Sequence, residues 1–162
     1  DLANVVAGFN FDRVLPTGKT KDMAVIGYGA SELEDYLEAE LEKQGRYINP
    51  DPNPEKGYFY RSDHISFAKK GVPVLYSDDG FDLEEGGIEE GFKEIYDYTN
   101  FRYHGVNDEY DPSWNLEGFE QTIDTIFNIS QGLSNSSDWP NWYEGNEFRA
   151  TRDAQLLSKN NP

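Results

Sequence analysis

The sequence predicts an α/β fold: part of a mixed, mostly parallel sheet flanked by helices, incomplete at its N-terminal side. Three observations predict it. The runs Asp22 to Tyr28 (DMAVIGY) and Val72 to Tyr76 (VPVLY) are almost continuously apolar, the mark of strands buried on both faces. Segments with apolar residues at helical spacing alternate with the strands, which is the α/β pattern. The strands are also few for a complete sheet.

The elements follow in order. Asn4 to Asp12 (NVVAGFNFD) alternates apolar and polar residues and reads as a strand ending on a carboxylate. Arg13 to Lys21, with Pro16 and Gly18, is a loop. After the Asp22 to Tyr28 strand, Ser31 is placed as an N-cap with Glu34 three residues on, the capping-box spacing. The helix Glu32 to Gln44 puts Leu33, Tyr36, Leu37 and Leu41 on one face, and Gly45 stops it. Arg46 to Ile48 is a short strand, and Asn49 to Gly57 (NPDPNPEKG) must be loop. Ser62 or Asp63 caps a short helix running to Lys70, and Gly71 closes it. Pro73 is tolerated near the start of the next strand. Asp78 to Gly87 reads as an acidic, glycine-rich loop and Ile88 to Tyr98 as a short helix. Trp114 or Asn115 starts the last strong helix, which carries Leu116, Phe119, Ile123, Ile126 and Phe127 and ends near Gly132. Residues 134–162 are polar and irregular, with Trp139, Trp142 and Tyr143 as anchors on the body or a frayed end.

Composition narrows the function. With 162 residues, there is enough chain for one domain with a core. A low hydrophobic fraction of 36% with 15% aromatics describes a folded protein whose apolar surface is carried by Tyr and Phe. The net charge of −17 argues against nucleic acid and against anionic membrane surfaces, because both need clustered Lys and Arg. No apolar run approaches a membrane span. Without cysteine, zinc-type chemistry must draw on two histidines and on carboxylates. The opening Asp1-Leu2-Ala3-Asn4 looks like a strand already under way, as in a processed product or a fragment.

The chemistry-bearing stretch is Tyr103-His104-Gly105-Val106-Asn107-Asp108-Glu109-Tyr110-Asp111-Pro112. Asp108 or Asp111 can supply the carboxylate that fixes an imidazole tautomer, and Tyr103 can support a developing oxyanion. Asp12 stands at the carboxyl end of a strand, where α/β sites gather. Asp63-His64 invites a dyad, but adjacent residues rarely face each other, so helix capping and a buried polar contact explain them better. Asp78-Asp79 and Glu84-Glu85 look like metal motifs and fit a solvated loop equally. Nothing supports nucleophilic serine or phosphate-loop chemistry.

In order along the chain stand Asn10-Phe11-Asp12, Ser62-Asp63-His64-Ile65-Ser66-Phe67, Gly71-Val72-Pro73, and Tyr103-His104 through Asp108, Tyr110 and Asp111. The set resembles the co-catalytic di-zinc aminopeptidase family, which includes bacterial leucyl aminopeptidases, glutamate carboxypeptidase and the glutaminyl cyclases. The resemblance covers nearly the whole chain. The tail Trp139-Pro140-Asn141-Trp142-Tyr143-Glu144-Gly145 with Glu147-Phe148-Arg149 resembles a bacterial subgroup of secreted peptidases, implying a secreted or periplasmic location. The fold it implies is the family's α/β/α sandwich. Residues 1–133 would be the C-terminal half of a catalytic domain, and 134–162 a tail packed on it. Asp12 would bind one zinc and His104 the other, with Tyr103 beside the scissile carbonyl. Arg61, Asp63 and His64 would lie near the rim as substrate-binding or ligand-supporting groups, Asp63 facing the site most directly.

The family also needs an earlier His-x-Asp, a bridging aspartate and a Glu-Glu pair whose first member is the general base, all before the Asn-x-Asp strand. Those lie outside this chain. A productive zinc needs about three protein ligands and an open position, and a two-metal site a bridging carboxylate. The expectation is therefore a peptide hydrolase in the whole protein, using two zincs, and weak zinc binding and no hydrolysis by the chain alone. An exposed sheet edge and apolar face are expected to be covered by the missing N-terminal half or another chain. The alternatives are a non-catalytic binding or assembly module that keeps the fold, or an acidic calcium-binding module over Asp78 to Glu90.

Overall fold

The computed structural model describes residues 2–13 and 15–160. The order is β1 (Gly8–Asn10), β2 (Asp22–Val25), α1 (Leu33–Lys43), β3 (Tyr47–Pro50), α2 (Ile65–Ala68), β4 (Val74–Asp79), α3 (Gly87–Phe101), α4 (Glu117–Ser134) and α5 (Arg149–Asn160), with short 3-10 turns at Leu2–Asn4, Pro54–Lys56 and Tyr58–Tyr60. The strands form one mixed sheet in the order β1-β4-β2-β3. β1 runs parallel to β4 and β3 parallel to β2, while β2 and β4 are antiparallel.

Side-chain alternation along the strands builds three layers. On one face Met23, Val25 and Leu75 pack against Leu33, Leu37 and Leu41 of α1 and Ile126, Ile129 and Leu133 of α4. The three α1 leucines recur every four residues on one helix face, and each fully buried one contributes roughly 1.5–3 kcal/mol. On the other face Ile26 and Tyr76 pack with Phe59, Ala68, Trp142 and Phe148. This is the expected α/β architecture with helices on both sides of the sheet.

Several boundaries move, each for a visible reason. The strand expected over Asn4 to Asp12 is short because the Val5 and Val6 carbonyls accept from the Arg152 guanidinium, at 3.0 and 3.1 Å, instead of from a neighbouring strand. β4 runs three residues past Tyr76, because Ser77, Asp78 and Asp79 continue the ladder opposite Val25, Ala24 and Met23. Only half of the capping box forms. The Glu34 carboxylate accepts the Gly29, Ala30 and Ser31 amides at 2.7, 2.7 and 3.3 Å, while the buried Ser31 hydroxyl makes no hydrogen bond and the cap position falls on Glu32. Neither Ser62 nor Asp63 caps α2, whose cap position is His64. α4 starts at Glu117, whose amide is held by the Asn115 side chain at 3.0 Å.

The tail is more regular than expected. α5 turns Arg152, Gln155 and Leu156 toward the body at helical spacing. Two of those three are polar, so no apolar stripe betrays the helix. Arg152 and Trp142 are both fully buried. The Trp142 indole donates to the Gly71 carbonyl at 3.1 Å, and the Arg152 guanidinium lies 5.3 Å over the Trp139 ring.

Beside the edge strand β1, the exposed rings of Phe11, Phe119 and Phe127 and the exposed Ile123 surround an apolar groove of about 570 Å³. Among the described residues no helix is long and apolar enough to cross a membrane.

Candidate functional site

The site begins where β1 ends. Asn10 pairs with Tyr76 across the β1–β4 ladder, so their side chains share a face and Asp12 follows two residues on. The Asn10 amide donates to Asp12 Oδ1 at 3.1 Å and to the Ser62 hydroxyl at 2.9 Å. The Tyr76 hydroxyl donates to Asp12 Oδ2 at 2.8 Å. Burial above all, with the charges of Asp78 and Asp12, holds the Tyr76 phenol far above its ordinary pKa, so it stays a donor. Asp12 is exposed, and both oxygens are fixed by neutral donors. An oriented, solvent-facing carboxylate suits a cation.

Asp78 is the residue that sequence reasoning set aside. It sits two residues beyond Tyr76 on the same face and is only 6% exposed. Burial pushes its pKa up to about 6, against the pull of the Arg13 guanidinium 3.4 Å away and the Arg13 and Asp12 amides. The signal was its position at the carboxyl end of a buried strand, hidden by ending that strand too early. Asp79 faces the other way. It accepts the Thr122 hydroxyl at 2.7 Å and the Leu15 amide at 3.1 Å, a structural role.

His64 is not at a rim. It is 3% exposed, with its ring 4.7 Å from Phe59 and 4.9 Å from Tyr76, and neither ring nitrogen makes a well-formed hydrogen bond. Burial lowers its pKa; the charges of Asp12 and Asp63 and a weak backbone interaction with Phe59 offset this only in part. It is a neutral core imidazole that wedges Phe59 against Tyr76. Asp63 is exposed, and its amide donates to the Ser62 hydroxyl at 2.7 Å. Arg61 is exposed too, with its guanidinium 5.8 Å from the Tyr58 ring.

Tyr103 and His104 leave the end of α3 together. His104 has φ +56°, a left-handed conformation that a side chain rarely adopts. Its ring stacks on Tyr103 at 3.8 Å, and Tyr103 leans on Tyr98 at 5.7 Å. Asp108 is not seated on His104; it accepts the Tyr98 hydroxyl at 3.3 Å. Burial and Asp108 raise the Tyr98 pKa, while Arg13 pulls it the other way, so the end of α3 lies within the field of the residue that follows Asp12.

Among the described residues no three of His, Asp and Glu are grouped to hold a metal ion. Asp12 is poised and His104 is strained and stacked, but among the described residues neither belongs to a group of three such ligands. The residues present do not by themselves make a zinc site.

Residues 1–130 match the model of peptidase family M28. The chain belongs to this family. It is a peptidase family whose members are generally zinc-dependent. No curated protein and no solved structure matches the chain. The matched span holds Asp12, the 61–64 segment, Tyr103 and His104, and it ends before Trp142, Phe148 and Arg152.

Proposed function

We propose that this chain contributes Asp12 and His104, one to each of two zincs, to an aminopeptidase that cleaves N-terminal peptide bonds with metal-activated water. The observation that carries the reading is Asp12: an exposed carboxylate held on both oxygens by the neutral donors Asn10 and Tyr76, at the carboxyl end of a strand. The remaining ligands and the general base must come from outside these 162 residues, so no hydrolytic step is assigned to this chain alone. Tyr103 would stand beside the scissile carbonyl, with Arg61 and Asp63 toward the substrate. A secreted or periplasmic location belongs to the same proposal.

The test has two arms. Alone with zinc, the chain is expected to leave aminoacyl-4-nitroanilides uncleaved. In a protein that joins it to the missing ligands, Asp12→Ala and His104→Ala are each expected to cut kcat/KM by more than the roughly 10- to 100-fold that loss of a ligand-supporting partner costs. Hydrolysis by the chain alone, or full activity in both variants, overturns the reading.

A non-catalytic assembly module is the second reading, favoured by the apolar groove at Phe11, Phe119, Ile123 and Phe127. A calcium module draws less support, because four of the seven carboxylates between Asp78 and Glu90 are engaged. Asp78 meets Arg13, Asp79 meets Thr122, Asp82 meets Lys21 and Tyr47, and Glu90 meets Lys93.

A further inference from the structure

A second pocket, about 310 Å³, lies between the turn after β2, the segment Pro54–Tyr60 and the residues leading into α5. That volume sits at the lower end of ligand pockets, which run from about 300 to 1,000 Å³. Its base is aromatic. Phe59 and Phe148, both buried, stack at 6.4 Å. A Cβ at Gly27 would lie 2.3 Å from the Phe59 ring, so glycine alone lets that ring reach the backbone, where φ is +77°. Above the base stand the exposed rings of Tyr58 and Tyr60, with Asp51 and Glu147 at the mouth. The Tyr60 hydroxyl donates to Glu147 at 2.9 Å and fixes that carboxylate. Gly29 and Gly57 have nothing within 4 Å of where a Cβ would be, so the walls stay open there.

From its buried base outward the pocket is phenylalanine, then tyrosine, then carboxylate. That sequence matches an extended aliphatic stem carrying a cation, as in lysine and arginine side chains. The tyrosine wall already draws cations: Lys56 and Arg61 lie 6.0 and 5.8 Å from the Tyr58 ring. A chain of net charge −17 also concentrates cationic peptides near its surface. Two buried rings, His64 and Tyr76, separate the pocket from the candidate site. Phe59 touches His64, His64 touches Tyr76, and Tyr76 bonds Asp12.

We propose that this pocket binds the basic side chain of a peptide, with the stem on Phe59 and Phe148 and the cationic head between Asp51 and Glu147. The inference names the chemistry of the substrate; its use in catalysis rests on the peptidase reading, whereas the binding itself does not.

The test uses tripeptides blocked at both ends, centred on arginine, norleucine or glutamate, added to the ¹⁵N-labelled chain without metal. The blocked amine keeps them from being aminopeptidase substrates. The arginine peptide is expected to shift the Gly29, Gly57 and Asn146 amides and to bind better than norleucine. Glu147→Gln, which keeps an oxygen for Tyr60, and Asp51→Asn, which keeps the oxygen that caps the Asn53 amide, are each expected to weaken arginine binding by about two- to fivefold. Norleucine binding should not change. Equal or tighter binding of norleucine or glutamate, shifts confined to other amides, or no binding at millimolar peptide overturns the proposal. Arginine binding with no hydrolysis by the completed protein would leave the pocket standing and sink the peptidase reading instead.

Discussion

Replacing Asp78 by asparagine should stabilise the chain at neutral pH and change nothing in mild acid. Asp78 is 6% exposed, and burial lifts its carboxyl from 3.8 to about 6 despite Arg13. The folded state therefore holds this proton more tightly than the unfolded chain does, and ionising it works against folding. The penalty is absent below about pH 4, grows between pH 4 and 6, and is complete above pH 6. A gap of about two pKa units, at 1.36 kcal/mol each, makes it about 3 kcal/mol. Asparagine cannot ionise, and its amide oxygen can still accept the Arg13 amide that Asp78 accepts at 3.3 Å. Asp78→Asn should thus match the parent near pH 4 and exceed it by up to about 3 kcal/mol at pH 7. The assay is urea unfolding followed by tryptophan fluorescence from pH 4 to 8, with a chelator present. With an m-value of roughly 2–3 kcal/mol/M the midpoint should move by about 1 M at pH 7. The raised carboxyls of Asp79 and Glu34 act with the same sign but are common to both proteins, so they cancel in the difference. A difference independent of pH, or a variant less stable at pH 7, would show that the Arg13 ion pair outweighs the burial.

Three other outcomes follow from the packing. Trp142→Ala removes a fully buried indole and its bond to Gly71, so a loss of about 3–5 kcal/mol is expected in the same assay; a loss under 1 kcal/mol would mean the tail is not part of the core. Gly91→Ala should destabilise even though alanine favours helices by about 1 kcal/mol, because the new Cβ would lie within 1.9 Å of the Phe81 carbonyl oxygen; a higher melting temperature contradicts the close approach of α3. Thr122→Val strips a hydroxyl from the buried Asp79 and should cost about 1–3 kcal/mol, more at pH 8 than at pH 5, since the carboxylate needs that donor most when ionised; thermal melts at the two pH values check both size and direction.

Sequence patterning found what periodicity and spacing encode. The Leu33, Leu37 and Leu41 stripe, the two apolar strands and the long helix through Ile126 all stand where their apolar residues put them. The place of Asp12 just past a strand end was legible, because a carboxylate closing a strand is a local pattern. Long-range polar contacts were not legible. Arg152 and Trp142 are far in sequence from Val5 and Gly71, and the helix they anchor shows no apolar face. His64 is a similar case. The family resemblance implied a rim position, but Phe59 and Tyr76, brought in by two separate elements, bury it. Asp78 and Asp79 are consecutive and look alike, yet β-strand alternation sends one toward Asp12 and Arg13 and the other toward α4.

Under the proposed function the chain supplies Asp12 and His104 to a zinc peptidase site that it does not complete alone. Calorimetric titration of the chain with zinc tests it most directly. The expected result is weak, sub-stoichiometric heat that is reduced further by Asp12→Ala. Tight one-to-one binding, on the order of the 10 kcal/mol or more seen at structural zinc sites, would contradict it.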